Sequence, residues 1–229
     1  MTIASRKLME PDQAIALIKS GDSVMVGSFG MRGYPAALVH ALSCSPANDL
    51  TIISCDLSSP GVGLGELLTA GKVSKLIGTF YTKNSDVMDA YAAGKIQIEL
   101  IPMGTFAEAI RAAGVGVAAF YTPTAVGTEL AEGKDTRVFN GREYLLQPAI
   151  RANVALIKAH KADALGNLVY YKTARNFNPQ MAMAADLVIA EVEHLVPTGE
   201  IDPEHVITPH NFVDVLIVRT ADSWPTVMV

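Results

Sequence analysis

Cysteine is scarce in this chain, with only Cys44 and Cys55 among 229 residues. The two stand at no metal-ligand spacing and frame no disulfide scaffold, which excludes a zinc module and a small secreted fold. No run of Lys or Arg exists and the formal net charge is -5. Nucleic acid and anionic membrane surfaces are therefore not expected partners. No uninterrupted apolar stretch reaches the roughly 18 residues of a membrane span. No charged leader precedes an apolar core in the manner of a secretory signal. Charged residues make up 18% against 50% hydrophobic ones, a balance that excludes disorder. The expectation is a cytoplasmic globular protein in a reducing compartment. Mean hydropathy of +0.28 is high for such a chain, and apolar surface buried against a partner accounts for it.

The glycines are where the chain becomes specific. Val24, Met25 and Val26 read as a short buried strand, and Gly27, Gly30 and Gly33 follow at intervals of three before Pro35 opens a helical run over 36–41. Glycine after a strand lets the backbone approach a ligand and adopt positive φ. A helix start just beyond would offer free N–H groups to an anion. The spacing is neither a dinucleotide fingerprint nor a P-loop. It leaves a ligand loop and a purely structural turn both open.

Further along, helices are expected at 11–19, 65–70, 84–93, 105–113 and 178–185. Strands are expected at 50–54, 73–80, 96–101, 154–159, 168–171 and 187–192. Met103-Gly104 reads as a turn, and Thr105 with Glu108 forms a capping-box pattern. Asn140-Gly141 marks a hairpin between 137 and 146. The alternation of strands and helices predicts an α/β fold with a mainly parallel sheet and extra hairpin elements. Ligands of such sheets bind beyond the carboxyl ends of the strands, where the glycine loop, the 55–65 loop and Met103-Gly104 converge. No linker divides residues 1–221, and 222–229 reads as a loose tail.

Individual side chains carry less. His160, between Lys158 and Lys161, is a general-base candidate without an accompanying nucleophile, or an ordinary surface histidine. His194, His205 and His210 lack metal spacing. The run Arg175-Asn176-Phe177-Asn178 fits a carboxylate anchor or a cap with a structural salt bridge. Cys55-Asp56 at a strand end faces a ligand, or is a buried thiol with an Asx turn. Met103 reads as apolar filler. Glu66 and Glu108 complement helix dipoles.

Taken together, the glycine passage and the segments 101–114, 119–128, 132–134, 155–163, 166–167 and 174–178 resemble the A (α) subunit of family I 3-oxoacid CoA-transferases. Acetoacetate and 3-oxoadipate enzymes are members. The resemblance runs from about Leu8 to Val218. It implies a CoA-transferase domain over 1–221 and a B (β) subunit as partner, in αβ or α2β2 form. It implies ping-pong transfer of CoA between carboxylates through a glutamyl-CoA thioester. That glutamate belongs to the B subunit, so no catalytic residue and no metal are expected here. Coenzyme A enters as substrate and covalent intermediate rather than as a resident cofactor. Gly27, Ser28, Phe29, Gly30, Met31, Arg32 and Gly33 match the family's CoA-binding segment, with Arg32 placed to meet a phosphate. Cys55, Asp56, Met103 and Gly104 match its substrate and oxyanion wall. Family members usually carry Gly-Gly at 27–28, Asn-Asn or Asn-Asp at 55–56, and Gln at 103. Methionine cannot donate a hydrogen bond, and one lost oxyanion donor costs about 10²–10³ in rate. These departures keep open a thioester or C–C bond hydrolase on the same pair of subunits, and a non-catalytic CoA-binding module.

Overall fold

The computed structural model describes residues 7–219, and the tail expected at 222–229 lies outside the described residues. The first half contains α1 (Pro11–Ile15), β1 (Ser23–Val26), α2 (Ala36–Cys44), β2 (Leu50–Ile53), α3 (Gly65–Thr69), β3 (Val73–Gly78), α4 (Ser85–Ala92), β4 (Gln97–Leu100) and α5 (Met103–Gly114). The second contains β5 (Ala119–Thr122), β6 (Thr136–Phe139), β7 (Arg142–Pro148), β8 (Ala152–Asp163), β9 (Leu168–Val169), α6 (Asn178–Met183), β10 (Ala185–Val196) and β11 (Val215–Val218).

One sheet runs β11-β10-β8-β1-β2-β3-β4, with β9 paired to β8. Every pairing in it is parallel except β8–β9. The mainly parallel α/β expectation therefore holds. A smaller antiparallel sheet, β5-β7-β6, contains the expected hairpin. Its turn needs two left-handed residues, and Asn140 (φ 52°) and Gly141 (φ 76°) supply them.

The pleat sorts the core onto two faces. Val24 and Val26 pack with Ile15, Leu38, Leu42, Leu67 and Val87 from α1 to α4. Met25 points the other way, to Phe106, Ala109 and Ile110 of α5 and Met181 of α6. Central strands covered on both faces need uninterrupted apolar runs, which is why β1, β2 and β8 read as such.

Two local expectations are corrected. The 103–104 turn and the capping box at Thr105 are displaced by a helix that begins at Met103. Pro102 is its N-cap and accepts from the Phe106 N–H (2.8 Å), so the first helical turn closes before Thr105. Thr105 is buried there, and Glu108 pairs with Arg111 instead (2.6 Å).

Candidate active site

The sheet opens a crevice because its strands differ in length. β1 stops at Val26, opposite Leu156 of β8, while β8 runs on to Asp163 and its partner β10 to Val196. Beyond Val26 the edge of β8 needs another hydrogen-bond partner. Gly27 N–H donates to Leu156 O (3.0 Å), and the Asn178 side chain then takes over, its Oδ1 accepting from Lys158 N–H (3.0 Å). The glycine loop turns away over this edge and covers a cavity of about 830 Å³, within the usual range of ligand sites.

The loop's shape comes from paired tight turns. Phe29 and Arg32 exchange backbone hydrogen bonds around Gly30 (φ 61°). Ser59 and Val62 make a second small bridge facing it. Asp56 ties the two together: Oδ2 accepts from Gly30 N–H (2.7 Å) and Oδ1 from Ser58 N–H (2.8 Å). Its carboxylate is thus both an Asx turn and a clamp on the glycine loop. The far side of the loop is held by Asn178, which is fully buried and donates Nδ2 to Gly33 O and Ala174 O (both 3.0 Å). Asn176 donates to Arg32 O (3.1 Å). The Asn176–Asn178 run is a fastener for the glycine loop, a role its sequence context left ambiguous.

Phe29, Gly30, Met31, Arg32, Gly33, Cys55, Asp56 and Met103 all line the cavity. Gly27, Ser28 and Gly104 do not. Ser28 is fully buried beneath the floor, its hydroxyl 2.9 Å from that of Ser54. Gly27 has its Cα against the Asn178 amide. Gly104 is exposed on the first turn of α5, outside the lining. The free helix N-terminus expected after Pro35 is also already occupied. Glu191 Oε2 accepts from Ala37 N–H (2.8 Å) and Leu38 N–H (3.2 Å) at the start of α2. Burial pushes that carboxyl up from its ordinary range, and the two backbone donors oppose the shift.

One wall is soft and neutral. Cys55 Sγ lies 3.7 Å from Met103 Sδ and 3.5 Å from Thr79 Oγ1. Burial pushes the Cys55 thiol up, which disfavours the thiolate. The opposite wall was not assembled by sequence reasoning. Lys158 and His160 from β8 meet Glu193 from β10, with Lys158 Nζ 2.8 Å from Oε1 and His160 Nδ1 2.7 Å from Oε2. Burial opposes ionisation of Glu193, but the Lys158 and His160 contacts prevail and hold its carboxyl below the ordinary range. Register was the missing signal: Glu191 stands opposite Lys158, which brings Glu193 opposite His160.

Charge separates the cavity from the rest of the molecule. Arg32, Lys83, Lys158, Lys172 and Arg219 line it against two carboxylates, Asp56 and Glu193, an excess of three positive charges. The chain as a whole carries -5. Such a site attracts anions. Backbone strain gathers here too, with Ser58 (φ 54°) and Lys172 (φ 49°) in the left-handed region on the lining.

A parallel sheet with a cation-rich cleft over its carboxyl edge has the form of an α/β fold suited to an anionic ligand. The chain belongs to the coenzyme A transferase family, which it matches over residues 8–219. Within that family it is a CoA-transferase chain of the A, or α, type. It is 49% identical to the α chain of 3-oxoadipate CoA-transferase from Pseudomonas putida over 202 residues, 87% of each chain. It is 46% identical to the α chain of succinyl-CoA:3-ketoacid coenzyme A transferase from Xanthomonas campestris pv. campestris (strain B100), over 89% of this chain and 84% of that one. Among solved structures, an acyl-CoA transferase from E. coli O157:H7 in a thioester complex with CoA superposes with a TM-score of 0.83 at 20% identity. That match covers 98% of this chain and 50% of the other and speaks to the fold alone. None of the described helices is long and apolar enough to cross a membrane.

Proposed function

We propose that this chain acts as one unit with a B subunit, in αβ or α2β2 form, and moves CoA between an acyl-CoA and a 3-oxo or related carboxylate. The observation that carries this reading is a cation-rich cavity whose one thiol is buried and neutral. Such a wall binds and orients an anion, and its two carboxylates are already engaged within the chain, Asp56 with the Gly30 and Ser58 N–H groups and Glu193 with Lys158 and His160, which supports a nucleophile supplied by the partner. In the first half-reaction a glutamate carboxylate of the partner attacks the acyl carbonyl. The C–S bond breaks, CoA leaves as thiolate and an acyl–glutamyl anhydride remains. The thiolate then attacks the glutamyl carbonyl, releases the first carboxylate and leaves glutamyl-CoA. The acceptor repeats the sequence in reverse.

Here the residues of this chain bind and position. The 29–33 turn meets the CoA moiety, with Arg32 directed at a phosphate. Cys55 and Met103 shape the acyl wall. Asp56, Asn176 and Asn178 hold the loop geometry on which those contacts depend. Both cysteines are free thiols, in keeping with the reducing cytoplasm where acyl-CoA is made and used.

The test is co-expression with the B-type chain. CoA transfer from succinyl-CoA and acetyl-CoA is assayed against a panel of 3-oxo and simple carboxylates, with each chain alone as control. Transfer only by the mixture is expected. A complex that releases free CoA with no acceptor product would replace the transferase with a thioester hydrolase. Ligand binding by a stable lone chain without turnover in any mixture would leave a binding module.

A further inference from the structure

At the cleft β8 and β10 run on past their neighbours. β1 ends at Val26, opposite Leu156, and β11 ends at Val218, opposite Val192. From there the two strands continue as a narrow ribbon, with β9 beside β8 at Lys161 and Ala162. Two-stranded ribbons twist more steeply than a wide sheet, so they gather side chains that a flat strand keeps apart. His160 of β8 meets Glu193 of β10, with Nδ1 2.7 Å from Oε2. The next residue of β10, His194, also turns its ring to His160, edge-on with centroids 5.0 Å apart. One nitrogen of each histidine and one Glu193 oxygen all lie within 4.8 Å of one another. The His194 side chain makes no hydrogen bond among the described residues, and none of the roles above uses it.

The geometry points to a site for a divalent transition metal of the zinc type, held by His160, Glu193 and His194. The donor set selects the ion. Two imidazoles and one carboxylate suit Zn²⁺ and its neighbours in the series, whereas Mg²⁺ and Ca²⁺ take oxygen ligands. Bonds of about 2.0–2.2 Å put the ligand atoms of a tetrahedral ion about 3.3–3.6 Å apart. His160 and Glu193 need only open slightly to reach that spacing, and His194, exposed near the end of β10, closes on them by turning its side chain.

The Lys158 ammonium and the cationic lining work against a cation here. Lys158 is bound to Oε1 (2.8 Å), however, and leaves Oε2 on the histidine side. A ligating carboxylate whose other oxygen accepts a hydrogen bond is the usual outer partner arrangement of a metal. Lys158 therefore lowers affinity without blocking the geometry, and the ion is an exchangeable one. Three protein ligands leave the fourth tetrahedral position open. His160 and Glu193 line the cavity, so a small anion in the cavity reaches that position.

The experiment uses the full-length chain, stripped with EDTA and dialysed, then titrated with ZnCl₂ by calorimetry and with CoCl₂ by visible absorption. Neither readout involves turnover, so its result stands apart from the transferase reading. One zinc per chain is expected, with the intense visible bands of low-coordinate Co²⁺, and azide should shift those bands by entering the open position. His194→Ala removes an exposed side chain and spares the fold. It should weaken zinc binding by at least the roughly tenfold to hundredfold that loss of an outer partner already costs. His160→Ala and Glu193→Gln should weaken it in the same way. Lys158→Met should tighten it, since the competing ammonium is gone. Cys44 supplies the control, because this exposed thiol lies 3.8 Å from His40 Nε2 and the two are rival zinc ligands. Cys44→Ser should leave zinc binding unchanged. No saturable zinc binding, full binding by His194→Ala, or loss of binding in Cys44→Ser would overturn the proposal. Cobalt bands indifferent to azide would refute the open position.

Discussion

Gly27→Ala isolates the fastener that holds the glycine loop. Gly27 does not lie in the left-handed region, so alanine brings no backbone strain of its own. The added methyl group would instead overlap Asn178 Oδ1 and sit 2.6 Å from its Cγ, inside any tolerable contact. Asn178 has to swing away, and as it does the Lys158 N–H and Gly33 O lose their partner, while Ala174 O loses one of its two donors and keeps Asn176 Nδ2. Each such bond contributes about 0.5–1.5 kcal/mol, and a buried group left unpaired costs about 1–3 kcal/mol. Losing two or three of them amounts to about 2–4 kcal/mol. In a domain of this size that is a fall in Tm of about 4–15 °C. The decisive assay is a double-mutant cycle read by urea unfolding, with CoA affinity measured alongside. Asn178→Ala loses the same bonds but opens the space, so Gly27→Ala added to it should cost well under about 1 kcal/mol, and the coupling should be about 2 kcal/mol. CoA affinity should fall in both single variants, because Gly33 and the loop before it relax. If Gly27→Ala costs the same with and without the Asn178 side chain, the steric argument is wrong.

Three further outcomes follow from the same geometry. Asp56→Asn keeps one acceptor oxygen but loses the charge that holds two N–H groups, so stability should drop by about 1–3 kcal/mol. Amide exchange should then speed up at 29–32 and 58–62 before it does in β1, whereas uniform acceleration would deny Asp56 its clamp role. Met103→Gln places a donor beside Cys55 and Thr79, and the acyl preference should move toward more polar groups; an unchanged substrate profile would sink the idea that this wall sets it. Glu193 has a folded-state pKa below its unfolded one, so its contribution is present above about pH 4.5 and is lost as pH falls through the folded value. Subtracting the stability curve of Glu193→Gln from that of wild type should therefore give a positive difference near neutrality that shrinks toward zero in acid. A difference that grows in acid would reverse the sign of the assignment.

Much of this molecule is legible from local pattern. The apolar runs of β1, β2 and β8 identify themselves because a strand covered on both faces has no polar alternation. The 140–141 turn does so because few dipeptides tolerate two left-handed residues. Gly27 to Gly33 and Cys55-Asp56 are visible as strand-end loops, since small and turn-forming residues are needed where a parallel sheet meets its ligand. Such signals are contained in a few neighbouring residues, and so they survive without knowledge of the rest of the chain. The start of α5 was misread because Pro102 and Thr105 both carry N-cap chemistry, and only the closure of the Phe106–Pro102 hydrogen bond decides between them. β11 has no counterpart in the sequence reading; four residues are too few to carry a period, and its pairing with β10 is what makes it a strand.

What governs the cleft's chemistry is non-local. His160 and Glu193 are 33 residues apart and meet only because β8 and β10 are in register. Asn178 reaches Gly33 across 145 residues because the early end of β1 leaves the edge of β8 without a partner. Glu191 closes the α2 N-terminus across 154 residues, which turns an expected anion site into an internal contact. Sequence by itself determined most of the central strands, the 140–141 turn and the family, because those depend on short-range sterics and on segments whose order survives as text. Tertiary structure alone decided which polar groups are already spent on one another and which still face the cavity, because a hydrogen bond, once made, is withdrawn from any ligand.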